Sequence, residues 1–239
     1  MASGGDTWTA RRGDIRRRFE RLVKRYDLAN TILSLGLDEL WRRRAVRTAL
    51  RMRPWGGGVW VDLASGTGAL ARRIPRSATG RLVRLDLSPV LLSEAHKLRG
   101  VPTGLRVVAE SHRIPLRAGR ADLVLMGFAT RHVPSVDLFV DEIRRILAPG
   151  GAIVILDMDL GRGRLWGPAY RFYFRHVLPR IAAVVTGQGE TYRWMVRTVE
   201  AGPRPEDLRR AFSAAGLIDV RVEHPTGGAA YIASARRRD

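Results

Sequence analysis

A short turn of small residues carries the strongest sign of chemistry in this sequence. The apolar run 59–63 passes into the segment 64–68, in which Gly66 and Gly68 form a G-x-G pattern. Because glycine has no side chain, backbone amide groups at such a turn can approach a ligand closely. Asp62, four residues before the first glycine, would add negative charge there. The turn predicts a site for a nucleotide-type cofactor, with these candidate contacts: Asp62, Ser65, Gly66, Thr67 and Gly68.

Further candidates follow later predicted strands and suit other parts of such a cofactor. Asp86 closes the apolar run 82–86, and an acid there can accept hydrogen bonds from both hydroxyl groups of a ribose. Glu110 and Ser111 come just past the next strand, where an adenine amino group would be read. Gly127 ends the following strand and would let the reacting group and the substrate come close.

The glycine pattern with a following acid leaves three alternatives open. It fits a nicotinamide or flavin dinucleotide, since Gly66, Gly68 and Ala71 match the fingerprint G-x-G-x-x-A. It also fits S-adenosylmethionine, a sulfonium with a zwitterionic methionine end and no phosphate. A tight strand–helix turn without any ligand is the third alternative. Asp62 and the lack of a second βαβ half favour S-adenosylmethionine.

Strand and helix patterns alternate from residue 59 onward, which predicts a mostly parallel, doubly wound α/β sheet. The first predicted strands are 59–64, 81–86, 104–109, 121–126 and 152–157, with helices 68–75, 89–98 and 136–147. The chain then ends with helix 205–215 and strands 217–222 and 229–235. A turn at 225–228 makes the last two strands a hairpin, so the final strand should be antiparallel. Seven strands in this order are typical of Rossmann-like methyltransferases rather than of dehydrogenases.

Two helical segments are added to the predicted sheet. In the N-terminal segment, apolar residues at helical spacing predict helices at 14–26, 30–35 and 38–52, which we expect to cover a substrate. The third helix should bury Leu40, Trp41, Val46 and Leu50. The other segment is rich in aromatic residues, which either pack on the sheet edge or cap an apolar substrate. The predicted units are a helical cover, 1–53, and a methyltransferase domain, 54–239, with the helical insertion 161–200.

Composition limits the partners of the chain. The 239 residues include no cysteine and no apolar stretch near the roughly 20 residues that span a bilayer, so we expect a cytoplasmic protein without disulfides. The net charge is +19, and 40 of the 42 basic residues are arginine. Residues 1–53 carry 14 basic and 6 acidic groups, an excess of 8. That excess is either a solvated face or a surface attracted to nucleic acid or to an anionic membrane.

Several motifs resemble those of a known family. The most specific is the segment 26–43, which reads YDLANTILSLGLDELWRR. A second region contains FRHVLPRI at 174–181 and Tyr-Arg at 192–193. The turn 62–68 and the Pro-Gly-Gly at 149–151 are shared more widely by class I methyltransferases. Over roughly residues 15–235 the chain resembles the ubiquinone/menaquinone biosynthesis C-methyltransferase family.

The resemblance implies that S-adenosylmethionine donates a methyl group to a ring carbon of a prenylated quinol in respiratory quinone biosynthesis. The quinol is either a demethylmenaquinol or a polyprenyl benzoquinol. By position, it implies that Thr67, Asp86, the Glu110–Ser111 pair and Gly127 contact the cofactor. A lipophilic quinol as substrate implies peripheral contact with the anionic inner face of a membrane. Nucleic acid is not expected as a partner, and a homodimer stays open.

Methylation of a quinol carbon needs a base, or a cation that favours the phenolate, because the carbon becomes nucleophilic when the neighbouring hydroxyl loses its proton. Arg131 and His132, past the fourth strand, can supply both, and Tyr26 and Asp27 can meet the quinol hydroxyls from the helical cover. The candidate catalytic residues are Arg131, His132 and Tyr26. The candidate substrate contacts are Tyr26, Asp27, Asn30, Arg131, Tyr170 and Phe174.

The chain departs from the family pattern beside one of these residues. The family usually has Gly-Leu-Arg-Asn-Val where this chain has Ala-Thr-Arg-His-Val at 129–133, so His132 stands in place of an amide. Two other functions stay open: methylation of another small aromatic or RNA acceptor, and a non-catalytic methyltransferase-like binding subunit. The sequence has no recognisable RNA-binding module. The remaining histidines show no metal-ligand spacing, so we expect no metal: His96, His112, His176 and His224.

Overall fold

The structure is a computed structural model. It describes residues 11–18, 20, 31, 34, 36–53, 57–75, 80–97, 100–159, 167–186, 189–226 and 228–239. The side chains of 95–97, 182 and 184–186 are outside this description. Tyr26, Asp27 and Asn30, three of the candidate site residues, also lie outside the described residues.

One seven-stranded sheet forms the centre of the fold. Its strands are β1 (Val59–Leu63), β2 (Arg81–Asp86), β3 (Leu105–Val108), β4 (Ala121–Gly127), β5 (Leu147–Met158), β6 (Ile218–Glu223) and β7 (Ala230–Arg236). They lie in the order β3-β2-β1-β4-β5-β7-β6. The first five strands pair in parallel, and β7 runs antiparallel to β5 and β6. The predicted doubly wound, mostly parallel sheet with its closing hairpin is confirmed.

Helices lie on both faces of this sheet. Residues 11–18 form α1. The others are α2 (Asp38–Met52), α3 (Pro89–Lys97), α4 (Val136–Ile146), α5 (Gly167–Phe172), α6 (Leu178–Thr186), α7 (Gly189–Ala201) and α8 (Pro205–Ala214), and the π-helical turn Tyr173–Val177 joins α5 to α6. In the described ranges, no helix is long and apolar enough to cross a membrane.

The hydrophobic core consists of two layers, one on each face of the sheet. Val154 and Leu156 of β5 pack in the layer that contains Trp41 of α2 and the buried side chains of the insertion. Ile153 and Ile155 pack in the opposite layer with α4 and α8. Successive residues of a strand face opposite sides, so a continuous apolar strand fills both layers. The N-terminal helix α2 therefore belongs to the main core, and the domain boundary after residue 53 stays a prediction.

The predicted helix 68–75 is wrong. The segment after β1 turns, and only Ala71–Arg73 forms one turn of 3₁₀-helix. Gly68 has φ +76°, a left-handed conformation that cannot start a right-handed α-helix. One hydrogen bond, from the Arg72 amide to the Gly68 carbonyl oxygen, spans four residues, and the next two span three, as in the 3.0 Å bond from the Ile74 amide to the Ala71 carbonyl oxygen.

Two smaller predictions also need correction. Leu40 is 47% exposed, whereas its neighbour Trp41 is completely buried. Adjacent residues of a helix point about 100° apart, and Leu40 lies outside the face of α2 that packs on the sheet. Strand β5 begins at Leu147 rather than at residue 152. Leu147 pairs with Ala121 and Ala152 pairs with Leu123, so the intervening Pro-Gly-Gly segment is an irregularity within the strand.

Candidate active site

An open cavity lies at the carboxyl ends of the parallel strands. The register places Leu63 of β1 beside Leu85 of β2 and beside Met126 of β4, so these strand ends are adjacent. The cavity has about 780 Å³ of empty volume, its mouth included. Ligands of doubly wound folds bind at this edge of the sheet. Six of the predicted site residues line the cavity: Gly66, Asp86, Glu110, Ser111, Gly127 and His132.

The glycine turn is held in a conformation that other residues rarely adopt. Gly66 and Gly68 have φ values of +53° and +76°. A Cβ atom on Gly68 would lie 3.0 Å from the Val101 side chain and 3.3 Å from Nη1 of Arg84. The Ser65 amide donates to the Leu85 carbonyl oxygen at 2.9 Å, which fixes the turn to the end of β2. The turn therefore brings backbone close to any ligand in the cavity. Ser65 and Thr67 are themselves buried within it.

Asp86 is placed as an acceptor at the cavity wall. Its carboxylate accepts the amide hydrogens of Gly66 and Ser88, both at 2.8 Å. Burial raises the pKa of Asp86, and these backbone hydrogen bonds oppose the rise. A carboxylate can accept about four hydrogen bonds, so capacity remains for the hydroxyl groups of a ribose. An acceptor for ribose hydroxyls at Asp86 and the bare backbone of the glycine turn together fit S-adenosylmethionine.

Asp62 acts from below the turn rather than from the cavity wall. It is 1% exposed, and the Ser65 hydroxyl donates to it at 2.6 Å. Burial raises the pKa of Asp62 to about 6, although Ser65, Arg84 and Arg42 counteract part of the rise. The carboxylate orders Ser65 and places a negative field under the segment that faces the ligand. Its position agrees with a supporting role toward the cofactor, and a direct contact stays a prediction.

The N-terminal helix α1 forms one side of the cavity. Ile15 and Arg16 line it, and Arg12 makes an ion pair with Glu110. His112 lies on the other side of that glutamate, with its Nε2 3.2 Å from Oε2 of Glu110. The described part of the N-terminal segment thus lies against the cavity, as expected of a cover. The sequence placed Glu110 at the site but did not identify either of its partners.

A carboxylate on β5 fixes the loop after β4. Thr130 donates its amide at 2.8 Å and its hydroxyl at 2.5 Å to Asp157. Nη1 of Arg131 donates to the other oxygen of that carboxylate at 3.3 Å. Arg131 is 6% exposed, and its guanidinium stands outside the described lining of the cavity. The structure therefore gives Arg131 a buried ion pair, and its predicted contact with substrate stays a prediction.

His132 is the basic residue that the same loop brings to the cavity. Its ring stacks on Trp194 of α7, with centroids 5.7 Å apart and an angle of 11° between the planes. Burial lowers the pKa of His132 well below its usual value, and the nearby charges of Arg131 and Arg11 lower it further. The imidazole is therefore neutral at physiological pH. A neutral imidazole at a cavity wall can accept a proton from a bound substrate.

The aromatic candidates of the insertion lie in the core. Phe174 is completely buried, and Tyr170 packs against it with ring centroids 5.3 Å apart. Burial raises the pKa of Tyr170. Both residues stand outside the described lining of the cavity. In this conformation they support the insertion, and their predicted contact with substrate stays a prediction.

Sequence reasoning also missed two residues that hold the loop after β4, Asp157 and Trp194. Asp157 ends the strongest apolar run of the sequence, which is the same signal that identified Asp86 at the end of β2. That signal could have found it. Trp194 carried no comparable signal, because its contact with His132 joins distant parts of the chain. In the described ranges, no group of three or more His, Asp or Glu residues could hold a metal ion, and the expectation of a metal-free site stays a prediction.

Known proteins match this chain over almost its full length. The model of the ubiE/COQ5 methyltransferase family matches residues 8–237. A demethylmenaquinone methyltransferase from Thermus thermophilus is 37% identical over 218 residues, which cover 90% of this chain and 97% of the relative. One from Mycobacterium marinum is 32% identical over 215 residues, 90% of each protein. A solved S-adenosylmethionine-dependent methyltransferase from Thermotoga maritima has a TM-score of 0.63 at 19% identity, covering 93% of this chain and 99% of that one.

The sheet has the fold of solved S-adenosylmethionine-dependent methyltransferases, and the family model and the curated relatives make this chain a methyltransferase that uses S-adenosylmethionine. The long match to the family model and the identity to the curated relatives then identify the branch of that class. The chain belongs to the ubiE/COQ5 methyltransferase family.

Replacement of Asp86 by asparagine should weaken cofactor binding about 10- to 100-fold, because hydrogen bonds to a charged group contribute about 1.5–3 kcal/mol. Calorimetric titration with S-adenosylhomocysteine measures the effect. Asp137→Asn, at an exposed aspartate of α4, is the matched control and should bind like the original protein. Unchanged affinity in Asp86→Asn would show that the carboxylate does not contact the ribose.

Proposed function

We propose that this enzyme methylates a ring carbon of demethylmenaquinol, a polyprenylated naphthoquinol, at the cytoplasmic face of a membrane. The observation that carries the proposal is that His132 lies in the wall of the same cavity as Asp86 and Gly127. One cavity thus combines an acceptor for the cofactor ribose at Asp86, space for the methyl group and the substrate to meet at Gly127, and a neutral base at His132. Supporting the choice of ring, the curated relatives from Thermus thermophilus and Mycobacterium marinum are both named demethylmenaquinone methyltransferase.

The residues of the cavity suit the proton transfers of this reaction. When bound, S-adenosylmethionine supplies an electrophilic methyl group on a positively charged sulfur. His132 takes the proton of a quinol hydroxyl, which leaves a phenolate with a nucleophilic ring carbon. That carbon gains the methyl group and then loses its own hydrogen as a proton to solvent, so the ring becomes aromatic again, and the imidazolium of His132 returns its proton to the quinol oxygen. The balance is one proton released and one neutral thioether formed from the sulfonium.

Arg131 and Asp157 hold the base in place. Asp157 fixes the loop through Thr130 and pairs with Arg131, and Nη2 of Arg11 donates to the Arg131 carbonyl oxygen at 3.3 Å. Burial is the main cause of the lowered pKa of the adjacent imidazole, and the positive charge of Arg131 lowers it further. We therefore assign Arg131 a positioning and electrostatic role.

The apolar part of the cavity favours an acceptor with an apolar aromatic ring. Ile15, Leu91, Met126 and Phe128 are buried side chains that line it. An apolar lining suits a fused quinol ring better than it suits a charged RNA acceptor. A non-catalytic subunit would have no evident use for a half-buried, neutral imidazole in the cavity wall.

Vesicles that contain demethylmenaquinol should become labelled when the protein is incubated with methyl-labelled S-adenosylmethionine. The expected product is a lipid heavier by one methyl group, identified by mass spectrometry. A parallel reaction with a demethylated polyprenyl benzoquinol tests the choice of ring. Absence of label with both quinols, in a protein that still binds S-adenosylhomocysteine, would refute the proposal.

Replacement of His132 by glutamine should reduce kcat about 10²- to 10⁴-fold, the range for loss of a general base, while cofactor binding persists. Because the pKa of His132 is lowered, the base stays unprotonated below its ordinary pKa. The acid limb of kcat against pH should therefore lie below about 6.5. His224→Gln, at an exposed histidine, is the control. An acid limb above that value, or full activity of His132→Gln, contradicts the role of a base.

An exposed ridge on the insertion supports membrane contact. Phe172 is 63% exposed and Ile181 is 39% exposed, on one helical run with the exposed Arg175 and Arg180. Apolar side chains among arginines suit the boundary between anionic headgroups and acyl chains. The stack of Trp194 on His132 connects the same insertion to the cavity. A quinol with a long tail would then enter from the bilayer beside the ridge.

The double variant Phe172→Ser/Ile181→Ser should lose roughly tenfold or more of its binding to vesicles rich in phosphatidylglycerol, since each buried apolar side chain contributes about 1.5–3 kcal/mol. Sedimentation with the vesicles measures the bound fraction. Leu105→Ser/Leu138→Ser is the matched control, because these leucines are 64% and 58% exposed elsewhere on the protein. Equal loss in both double variants, or in neither, contradicts the assignment of the ridge.

A further inference from the structure

Arg42 is a buried arginine within a run of exposed ones. It is 5% exposed, whereas the adjacent Arg43 and Arg44 of α2 are exposed. Burial of a guanidinium is costly unless its donors are satisfied. In the described part of the chain, the acid bonded to Arg42 is Asp38, at a long 3.5 Å from Nε. The charge of Arg42 is therefore only weakly compensated within these residues.

The guanidinium lies against the floor of the cavity. Its central carbon is 4.8 Å from the centroid of the Phe128 ring. Its Nη1 is 3.8 Å from the position that a Cβ atom on Gly127 would occupy. Both Phe128 and Gly127 line the cavity, whereas Arg42 stands behind them, outside the described lining, and borders a second pocket beside α2. Burial raises the pKa of Asp62, and the charge of Arg42 is one of the causes that oppose this rise, so the guanidinium is within electrostatic reach of the glycine turn.

The strand order sets the direction in which the cofactor must extend. Glu110 follows β3, Asp86 ends β2, the glycine turn follows β1 and Gly127 ends β4, and these strands are adjacent in that order. With its ribose at Asp86, the methionine end must pass over the turn toward β4. The distance is roughly 10 Å, two strand spacings. Arg42, whose Nη1 lies beside Gly127 at the end of β4, is on that side of the turn.

We propose that Arg42 binds the carboxylate of the methionine end of S-adenosylmethionine. A guanidinium presents two parallel N–H groups that match the two oxygens of a carboxylate. The ring of Phe128 supports its face, and the long bond to Asp38 leaves donors for the ligand. The negative field of Asp62 then serves the α-ammonium group of the same zwitterion. This inference depends on the cofactor and is independent of which quinol is methylated.

Arg84 is a weaker candidate for this role. It is 2% exposed, and its Nε and Nη1 atoms are buried without a hydrogen-bond partner among the described residues. Its Nη1 approaches Gly68, however, which stands outside the described lining of the cavity. Arg84 therefore supports the underside of the turn, whereas Arg42 contacts residues of the cavity wall.

A pair of ligands isolates the carboxylate. S-adenosylhomocysteine and its decarboxylated analogue differ by that group alone, so the ratio of their dissociation constants reports its recognition. Calorimetry on the original protein should show tighter binding of the carboxylated ligand. In Arg42→Gln this preference should fall about 10- to 100-fold, as expected for hydrogen bonds between charged groups. Arg43→Gln, one residue further on α2, should keep the original preference.

The ratio also separates ligand contact from a structural role. If Arg42 only balances Asp38 and Asp62, both ligands lose affinity equally and the ratio is unchanged, which overturns the proposal. Arg42→Lys keeps a charge but loses the two parallel N–H groups, so its preference for the carboxylated ligand should lie between that of the original protein and that of Arg42→Gln. If Arg42→Gln does not fold, Arg42→Lys decides, and an unchanged ratio in that variant overturns the proposal.

Discussion

The absence of a side chain at Gly68 is the constraint on which the site depends. Its φ of +76° is one that other residues rarely adopt, and a Cβ atom there would lie 3.0 Å from Val101, so the turn after β1 favours glycine. Once closed, the turn hydrogen-bonds to the end of β2 through Ser65 and reaches Asp86 through the amide of Gly66. The ends of two strands thereby become one unit. These hydrogen bonds of Ser65 and Gly66 shape the edge of the sheet at which the cofactor is expected to bind.

Two carboxylates perform the same structural task at different strand ends. Asp86, at the end of β2, accepts backbone N–H groups from Gly66 and Ser88. Asp157, near the end of β5, accepts them from Thr130 and Met158. Each carboxylate satisfies amides that the parallel ladder leaves without partners where a strand gives way to a loop. The first loop shapes the cofactor end of the cavity, and the second shapes the reacting end.

The sequence could predict the sheet because the information for it is local. Apolar runs of strand length alternate with segments whose apolar residues recur at helical spacing, and this alternation identifies the parallel strands. The turn near residue 226 identifies the hairpin. The helix predicted after Gly68 failed for a tertiary reason, since the left-handed turn and its contact with Val101 override helix propensity. The predicted burial of Leu40 was wrong for a similar reason, because helical spacing alone did not show which side of α2 meets the sheet.

The site could be predicted where a residue ends a strand and could not where contacts join distant segments. Asp86, Gly127 and His132 follow predicted strands, and all line the cavity. The ion pair of Arg131 depends on Asp157, which is 26 residues further along the chain on β5 but adjacent in space. The contact of Trp194 with His132 and that of Arg42 with Phe128 have the same origin. Such pairs follow from packing, which spacing in one sequence does not encode.

The stack of Trp194 on His132 makes proton affinity a function of closure. Burial is the main cause of the low pKa of this imidazole, and α7 supplies one wall of that burial. When the insertion lies against the loop, the ring is dry and deprotonated. Any movement that admits water beside the ring raises its pKa toward that of a free histidine. A ring kept from bulk solvent therefore stays unprotonated at neutral pH and holds an accepted proton only weakly, so the hydration of the ring sets its proton affinity.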